Sequence, residues 1–266
     1  MKRLLRQIAL RVLDKTNRDI SIRHHWVAGA KVRLNSFKHK GYWYNGRKRE
    51  AASMEIFALL VRPGMSVAEV GGHIGYISRY FAHLVGITGK LVVFEPGSNN
   101  LPYIRSNVGS LSNVHLVEKG VGPVAGNMDF YEESLTGQNN SFIKDFKGLS
   151  INEKAATKVA DVHTRKVDIV TLDAFFAATA PDFVKIDVEG FEYQVLLGAE
   201  TLLARKTMFM VEVQADKQAI YDMMRRHGYV LVSEIRKLAR SADDLHYNTF
   251  CLHPVHHKTQ LALLGL

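Results

Sequence analysis

The chain has 266 residues, is 47% hydrophobic and carries a formal net charge of +9. Its one cysteine, Cys251, excludes an intrachain disulfide and suits a reducing compartment. No apolar run approaches the ~20 residues that a spanning helix needs, and the basic start MKRLLRQIALRVL lacks the unbroken apolar stretch and cleavage site of a signal peptide. These bounds predict a cytoplasmic protein with one sizeable α/β core and a small extension.

The charge is unevenly placed. Residues 1–50 hold fourteen Lys and Arg against Asp14, Asp19 and Glu50, a net +11, so the other 216 residues sum to −2. A basic arm on a near-neutral body favours anionic partners: nucleic acid, acidic lipid headgroups or a phosphate-bearing substrate. A solubilising, exposed segment accounts for the same charge.

Leu5, Ile8, Ala9 and Val12 fall at helical spacing among Arg3, Arg6 and Arg11, which predicts a short amphipathic helix over 4–13. It packs on the body or lies on a membrane surface. Residues 31–44, KVRLNSFKHKGYWY, read as strands around a turn near Gly41. A helix over about 50–61 stops at Pro63-Gly64.

From there buried strands alternate with helices. Strands are predicted at 66–71, 90–95, 113–118, 182–188, 207–213, 229–235 and 247–252, and helices at 75–85, 97–108, 189–204 and 216–227. Continuous apolar runs such as LVVF mark strands buried on both faces. The order implies βαβ units and a mostly parallel sheet. Over 124–170 the pattern weakens: NMDFYEE reads as a strand and 134–158 as a long loop, a kind usually functional or disordered.

Four segments carry chemistry. In SVAEVGGHIGYISRY a strand ends at Glu69-Val70-Gly71-Gly72-His73-Ile74-Gly75 and a helix begins. Glycines let a backbone turn sharply and a ligand approach closely, and the helix N-terminus offers free N–H groups. A dinucleotide fingerprint needs glycine at positions one, three and six, where this chain has Gly71, His73 and Tyr76. That failure disfavours a nicotinamide oxidoreductase. The carboxylate of Glu69 suits instead the ammonium of an amino-acid moiety such as that of S-adenosylmethionine. In KLVVFEP, Glu95 ends a strand twenty-four residues after Gly71, where a carboxylate accepts both hydroxyl hydrogens of a ribose at the carboxyl edge of a doubly wound sheet.

In PDFVKIDVEGFEYQVLLG, Lys185, Asp187 and Glu189 alternate, which places them on one face of a strand and its exit. Burying Lys and Asp costs several kcal/mol unless they pair, so a Lys185–Asp187 contact is predicted. Glu212 sits inside the apolar strand TMFMVEVQ and needs a partner, either Lys185 or substrate. Among lesser features, Gln138-Asn139-Asn140-Ser141 could reach the methionine end of a cofactor. Tyr42-Trp43-Tyr44 line a pocket or pack a hairpin. His253, His256 and His257 read as solvated rather than metal-binding, since no Cys or carboxylate cluster supports them.

Taken together, VAEVGGHIGYIS, LVVFEP, NNS, TLDAFF at 171–176, VKIDVEGFEYQVLLGAE and the strand with Glu212 resemble the FkbM-type methyltransferases, in the family's order and over about residues 50–250. Where the family usually has Ala-Asn after the first glycine, this chain has Gly72-His73, a departure we read as a tuned loop in which Gly72 relieves strain. The resemblance implies a Rossmann-like methyltransferase fold, with a mostly parallel seven-stranded sheet and helices on both faces. It also implies S-adenosyl-L-methionine as cofactor and a hydroxyl acceptor on a sugar, glycan or natural product, open to an anionic or lipid-linked one. Residues 1–49 would then be a basic extension of helix plus hairpin, 50–255 the cofactor-binding domain and 256–266 a tail.

On this reading Glu69, Gly71, Gly72, His73, Gly75, Glu95, Asn140, Ser141 and Asp187 contact the cofactor. Asp187, Glu189 and Glu212 are candidate bases for an in-line transfer, with Lys185 fixing their charge, and His73 is a further proton acceptor. No metal pattern is present. A nucleic-acid methyltransferase using the basic arm, a non-catalytic binding module and a homodimer are the alternatives held beside it.

Overall fold

The computed structural model describes residue 10, residues 12–151 and residues 161–266. Leu5, Ile8, Ala9 and the arginines at 3, 6 and 11, on which the N-terminal helix expectation rests, lie outside them.

After a helical turn over 12–15, the described chain forms a hairpin of β1 (Asp19–Arg23) and β2 (Lys31–Asn35). Val32 and Leu34 turn into the core while Lys31 and Arg33 face out, the period of two that strands impose. The strand-and-turn expected around Gly41 is not there: Lys40–Asn45 form a short helix, α1. Aromatic residues favour strands, but here tertiary anchors prevail. Tyr42 is buried, and the Trp43 indole N–H donates to the Ser36 carbonyl at 2.8 Å. Helix α2 (Ala51–Leu60) follows and buries Met54, Ile56, Phe57 and Leu60.

The body is a seven-stranded sheet. Its strands are β3 (Ser66–Val70), β4 (Lys90–Phe94), β5 (Val114–Val117), β9 (Phe183–Ile186), β10 (Met208–Glu212), β11 (Val230–Ser233) and β12 (Asn248–Leu252), in the order β5-β4-β3-β9-β10-β12-β11. All neighbours are parallel except those of β12, which runs antiparallel to β10 and β11. Chain order runs outward from β3 to β5 and then restarts at β9 on the other side. The switch therefore falls between β3 and β9, where doubly wound sheets open a crevice at their carboxyl edge.

Period two sends alternate residues of each strand into two separate cores. Val67, Leu91, Val93, Phe183 and Phe250 meet α2, α3 (Tyr76–Val85) and α4 (Leu101–Val108) on one face. Ala68, Val70, Val184, Ile186, Phe209 and Cys251 meet α7 (Glu192–Leu197), α8 (Glu200–Ala204) and α9 (Lys217–Arg226) on the other. The helix expected over 189–204 thus begins later and breaks at Gly198. Thr171 of TLDAFF caps α6 (Leu172–Phe175), its Oγ1 accepting from the Ala174 N–H, and the Asp173 carboxylate accepts from the N–H groups of Thr201 and Leu202 at the start of α8. Helix α10 (Lys258–Leu263) closes the described chain against α2. His257 at its start is buried, its Nδ1 accepting from the His253 N–H, which corrects the expectation of a solvated ring.

A second, three-stranded sheet spans the irregular region in the order β6-β8-β7: β6 (Gly120–Val121), β7 (Gly126–Glu133) and β8 (Val162–Val170). Helix α5 (Lys147–Ile151) lies within the stretch read as a loop. Strand β8 is missing from the sequence expectations because it is solvated along Val162–Lys166, so no apolar period marks it. Its long antiparallel pairing with β7 defines it instead.

Asn107 of α4 locks the hairpin to the body. Its Oδ1 accepts from the Arg33 N–H at 2.7 Å, and its Nδ2 donates to the Arg33 carbonyl at 2.9 Å and the Ile74 carbonyl at 2.7 Å. One buried side chain thus serves as the missing neighbour of an edge strand and holds the loop before α3. Asn107→Ala strips three bonds and leaves buried groups unpaired, each costing about 1–3 kcal/mol. A drop of about 2–4 kcal/mol in urea unfolding free energy is expected, and a change within ±0.5 kcal/mol would refute the locking role.

Candidate functional site

The carboxyl ends of β3, β4, β9 and β10 converge on a cavity of about 340 Å³, within the size of small-molecule sites. The first wall is the turn after β3. Gly71 takes φ +89°, and a Cβ there would stand 1.8 Å from the Asp187 carbonyl oxygen. Any side chain would force the exits of β3 and β9 apart. Gly72 does a different job from the strain relief expected of it: its φ is ordinary, and it leaves room for Val93 and Ile104, which a Cβ would meet at 2.4 and 2.7 Å. The strained residue is His73 itself, at φ +48°. Such a conformation costs about 1–3 kcal/mol and persists only where the surroundings fix it. Here the His73 N–H donates to Glu95 Oε2 at 2.6 Å, and Nδ1 lies 3.0 Å from the Tyr42 hydroxyl. Gly75, at φ +80°, turns the chain into α3 and does not reach the cavity.

The charged centre follows from strand register. Glu69 of β3 pairs in register with Lys185 of β9, so their side chains share one face. Lys185, 2% exposed, donates to Asp187 Oδ2 at 2.8 Å and lies 3.8 Å from Glu69 Oε1. The predicted Lys185–Asp187 contact is present. Glu69 also accepts from the Ser78 hydroxyl. Lys185, one of the two partners held open for Glu212, pairs with Asp187 and Glu69 instead. Gln214, two residues on, donates through one Nε2 to both Glu212 (2.5 Å) and Glu189 (2.9 Å). Carboxylate oxygens of Asp187, Glu189 and Glu212 come within 4.8 Å of one another.

Protons settle that crowding. Burial pushes Asp187 up, but the adjacent Lys185 ammonium, together with hydrogen bonds from Glu212 and Lys185, outweighs it and holds the carboxyl below its ordinary value. Burial first, and then the Asp187 charge, push Glu212 well up and Glu189 up to about 8. Asp187 therefore carries the negative charge at neutral pH while its neighbours keep their protons. Burial also raises Glu69 and Glu95 to about 7.

Toward β4 and β5, Glu95 is fixed by three donors: His73 N–H on Oε2, Gly97 N–H and Asn100 Nδ2 on Oε1. A carboxylate has about four acceptor sites, so one remains on Oε2. The Asn100 Oδ1 is likewise buried with no donor. Glu95 and Asn100, both lining the cavity, thus each keep an acceptor position unfilled. Asn140 lines this part of the cavity, its amide spanning Glu133 N–H and Asn99 Oδ1. Ser141 does not line the cavity. Its hydroxyl donates to the Glu189 carbonyl at 2.8 Å and positions that residue.

The structure therefore gathers Glu69, Gly71, Gly72, His73, Glu95, Asn140, Lys185, Asp187, Glu189 and Glu212 around one space. It adds Asn100, Val121, Phe142, Arg49 and Tyr247 to that lining, with Gln214 bridging behind it. Gln214 was within reach of the alternation that marked Glu212. Arg49 lies inside a basic run, and Phe142 follows Ser141 in the irregular region, so neither carries a local signal.

The profile of the methyltransferase FkbM domain matches residues 69–231. No curated protein matches the chain. Among solved structures it is similar to Aeropyrum pernix fibrillarin in complex with natively bound S-adenosyl-L-methionine (11% identity, TM-score 0.42, 88% of this chain and 89% of that one). It is also similar to the precorrin-6y C5,15-methyltransferase from Geobacter metallireducens GS-15 (13%, 0.41, 76% and 85%) and to a SAM-dependent methyltransferase from Aquifex aeolicus (12%, 0.40, 80% and 95%).

The buried carboxyls set a pH dependence. Their folded values, about 7 for Glu69, Glu95 and Glu192 and about 8 for Glu189, lie above the ordinary 4.5. Above pH 4.5 the unfolded chain has shed these protons and the folded chain still holds them, so stability falls as pH rises through about 8. His24, His39 and His257, depressed by burial to about 4, act oppositely but only below the ordinary histidine value of 6.5. Scanning calorimetry of the ligand-free protein should find the thermal midpoint falling from pH 6.5 to 8.5. A midpoint that rises over that window would contradict the assignment.

Proposed function

The chain belongs to the FkbM methyltransferase family and uses S-adenosyl-L-methionine, and from that premise we propose that it methylates a hydroxyl group of a sugar, glycan or natural-product acceptor, with Asp187 as the general base. When bound, the cofactor supplies an electrophilic methyl group on a sulfonium. Glu95 and Asn100 would hold its ribose through the two unfilled acceptors. Val121 and Phe142 supply apolar wall beyond them, and Glu69 with the Gly71–His73 turn would face its amino-acid end.

One observation carries the assignment of the base. Of three carboxyls crowded at the ends of β9 and β10, Asp187 alone is held ionised, by a buried ammonium 2.8 Å away, and its side chain keeps 25% of its surface open. A hydroxyl acceptor must lose its proton as the methyl arrives, and a base within hydrogen-bond reach accelerates such steps by about 10²–10⁴-fold. Glu212 and Glu189, protonated and bridged by Gln214, can donate hydrogen bonds to acceptor oxygens and orient them. Lys185 fixes both the charge and the direction of Asp187, a positioning role. The oxygen-only set Asp187, Glu189 and Glu212 also suits a hard divalent cation. We assign it no metal, because the Lys185 ammonium already neutralises Asp187.

Methyl-labelled S-adenosylmethionine incubated with a panel of sugars and nucleotide sugars tests the reading. Alkali-stable label is expected, because a methyl ether survives base and an ester does not. Asp187→Asn should lower transfer by about 10²–10⁴-fold while S-adenosylhomocysteine affinity stays within a few-fold. Glu212→Gln, which keeps the hydrogen bonding of a protonated group, should cost at most about tenfold, and chelator should cost nothing. Wild-type turnover in Asp187→Asn would remove Asp187 from the base role, and alkali-labile label would remove the hydroxyl acceptor.

A further inference from the structure

Three cations line the cavity: Lys185, Lys119 and Arg49. Lys185 is committed to Asp187 and Glu69. Lys119 is about half exposed and pairs with Asp168 at 3.6 Å. Arg49 has no such account. Its guanidinium stacks on the Tyr42 ring, 4.3 Å from the centroid, and Tyr42 is in turn held by His73 of the turn after β3. Among the described residues the only carboxylate paired with it is Glu50, 3.1 Å from Nε but outside hydrogen-bonding geometry, so that Nε is buried with no acceptor.

Backbone strain places it there. Glu50 takes φ +54° at the start of α2, a left-handed kink that separates extended Arg49 from the helix. A glutamate in that region costs about 1–3 kcal/mol, and such strain collects at ligand clamps and active sites. A guanidinium N–H buried with no acceptor is also costly. The fold sustains both, and sets the planar fork on the cavity wall that holds Asp187 and His73.

We infer that Arg49 anchors an oxyanion subsite in this cavity, taking a carboxylate or phosphate through its guanidinium fork. Planar bidentate recognition is what Arg provides and Lys does not. The oxyanion has two possible sources: the carboxylate at the amino-acid end of the methyl donor, or an acidic group on the acceptor. The first source rests on the donor reading above, and the second does not.

Wild type, Arg49→Gln and Arg49→Lys are titrated calorimetrically with S-adenosylhomocysteine, with 5′-methylthioadenosine (which lacks the amino-acid end) and with inorganic phosphate. Arg49→Gln should lose tenfold or more for an oxyanion probe. Arg49→Lys, with charge but no fork, should lose about threefold or more and serves as the test if the glutamine variant does not fold. A loss for S-adenosylhomocysteine without loss for methylthioadenosine assigns the subsite to the donor carboxylate. A loss for phosphate with S-adenosylhomocysteine affinity retained assigns it to the acceptor. Wild-type affinity for all three probes in both variants overturns the subsite. If wild type binds neither nucleoside, the donor reading falls on its own, and the phosphate titration still decides the role of Arg49.

Discussion

The Lys185 ammonium, buried between Asp187 and Glu69 at the junction of β3 and β9, is the interaction on which the site depends. Removing an ammonium from water costs several kcal/mol that only close, well-directed partners offset. Register supplies them: β3 and β9 run parallel with Glu69 opposite Lys185, and Asp187 follows two residues later on the same face. The two strands that define the switch point are thereby joined by charge as well as by their backbone ladder. The backbone itself closes the junction, because Gly71 admits the Asp187 carbonyl where no Cβ would fit.

Once Lys185 fixes the charge on Asp187, the protonation of its neighbours follows. Burial, and then the buried negative charge beside them, raise Glu189 and Glu212 so that they keep protons at neutral pH. Three carboxyls of similar intrinsic acidity thus divide into one acceptor of protons and two donors of hydrogen bonds. Environments that push like groups apart in this way are how acid and base roles are assigned in one site.

The segment before the sheet takes part in the same arrangement. Asn107 stitches β2 to α4, Tyr42 reaches the strained His73, and Arg49 enters the cavity beside them. The Gly72-His73 pair, where the family usually has Ala-Asn, makes sense in that setting. A histidine offers a ring that can meet Tyr42 and stack edge-on with His39, contacts that a shorter side chain would not span. The strain at His73 is offset by contacts that bind the turn after β3 to the N-terminal region.

The sequence by itself determined the elements whose pattern is local. Apolar runs of strand length separated by helix-length segments fixed the parallel sheet. The spacing of Glu69, Gly71 and Glu95 marked the cavity at the carboxyl edge of the sheet, and the alternation of Lys185, Asp187 and Glu189 marked the ionic centre. Tertiary structure alone decided the rest, because those features have no period to read. Strand β8 exists through its pairing with β7 rather than through apolar alternation. The aromatic stretch at Tyr42 became helix because Tyr42 and Trp43 found partners outside it. Asn140 came to the Glu95 side and Ser141 behind Glu189 by the path of the loop after β7. Arg49 entered the cavity through one left-handed residue at Glu50. Composition and spacing report what a segment buries, whereas which groups meet across the fold is set by register, strand order and the few backbone positions that turn the other way.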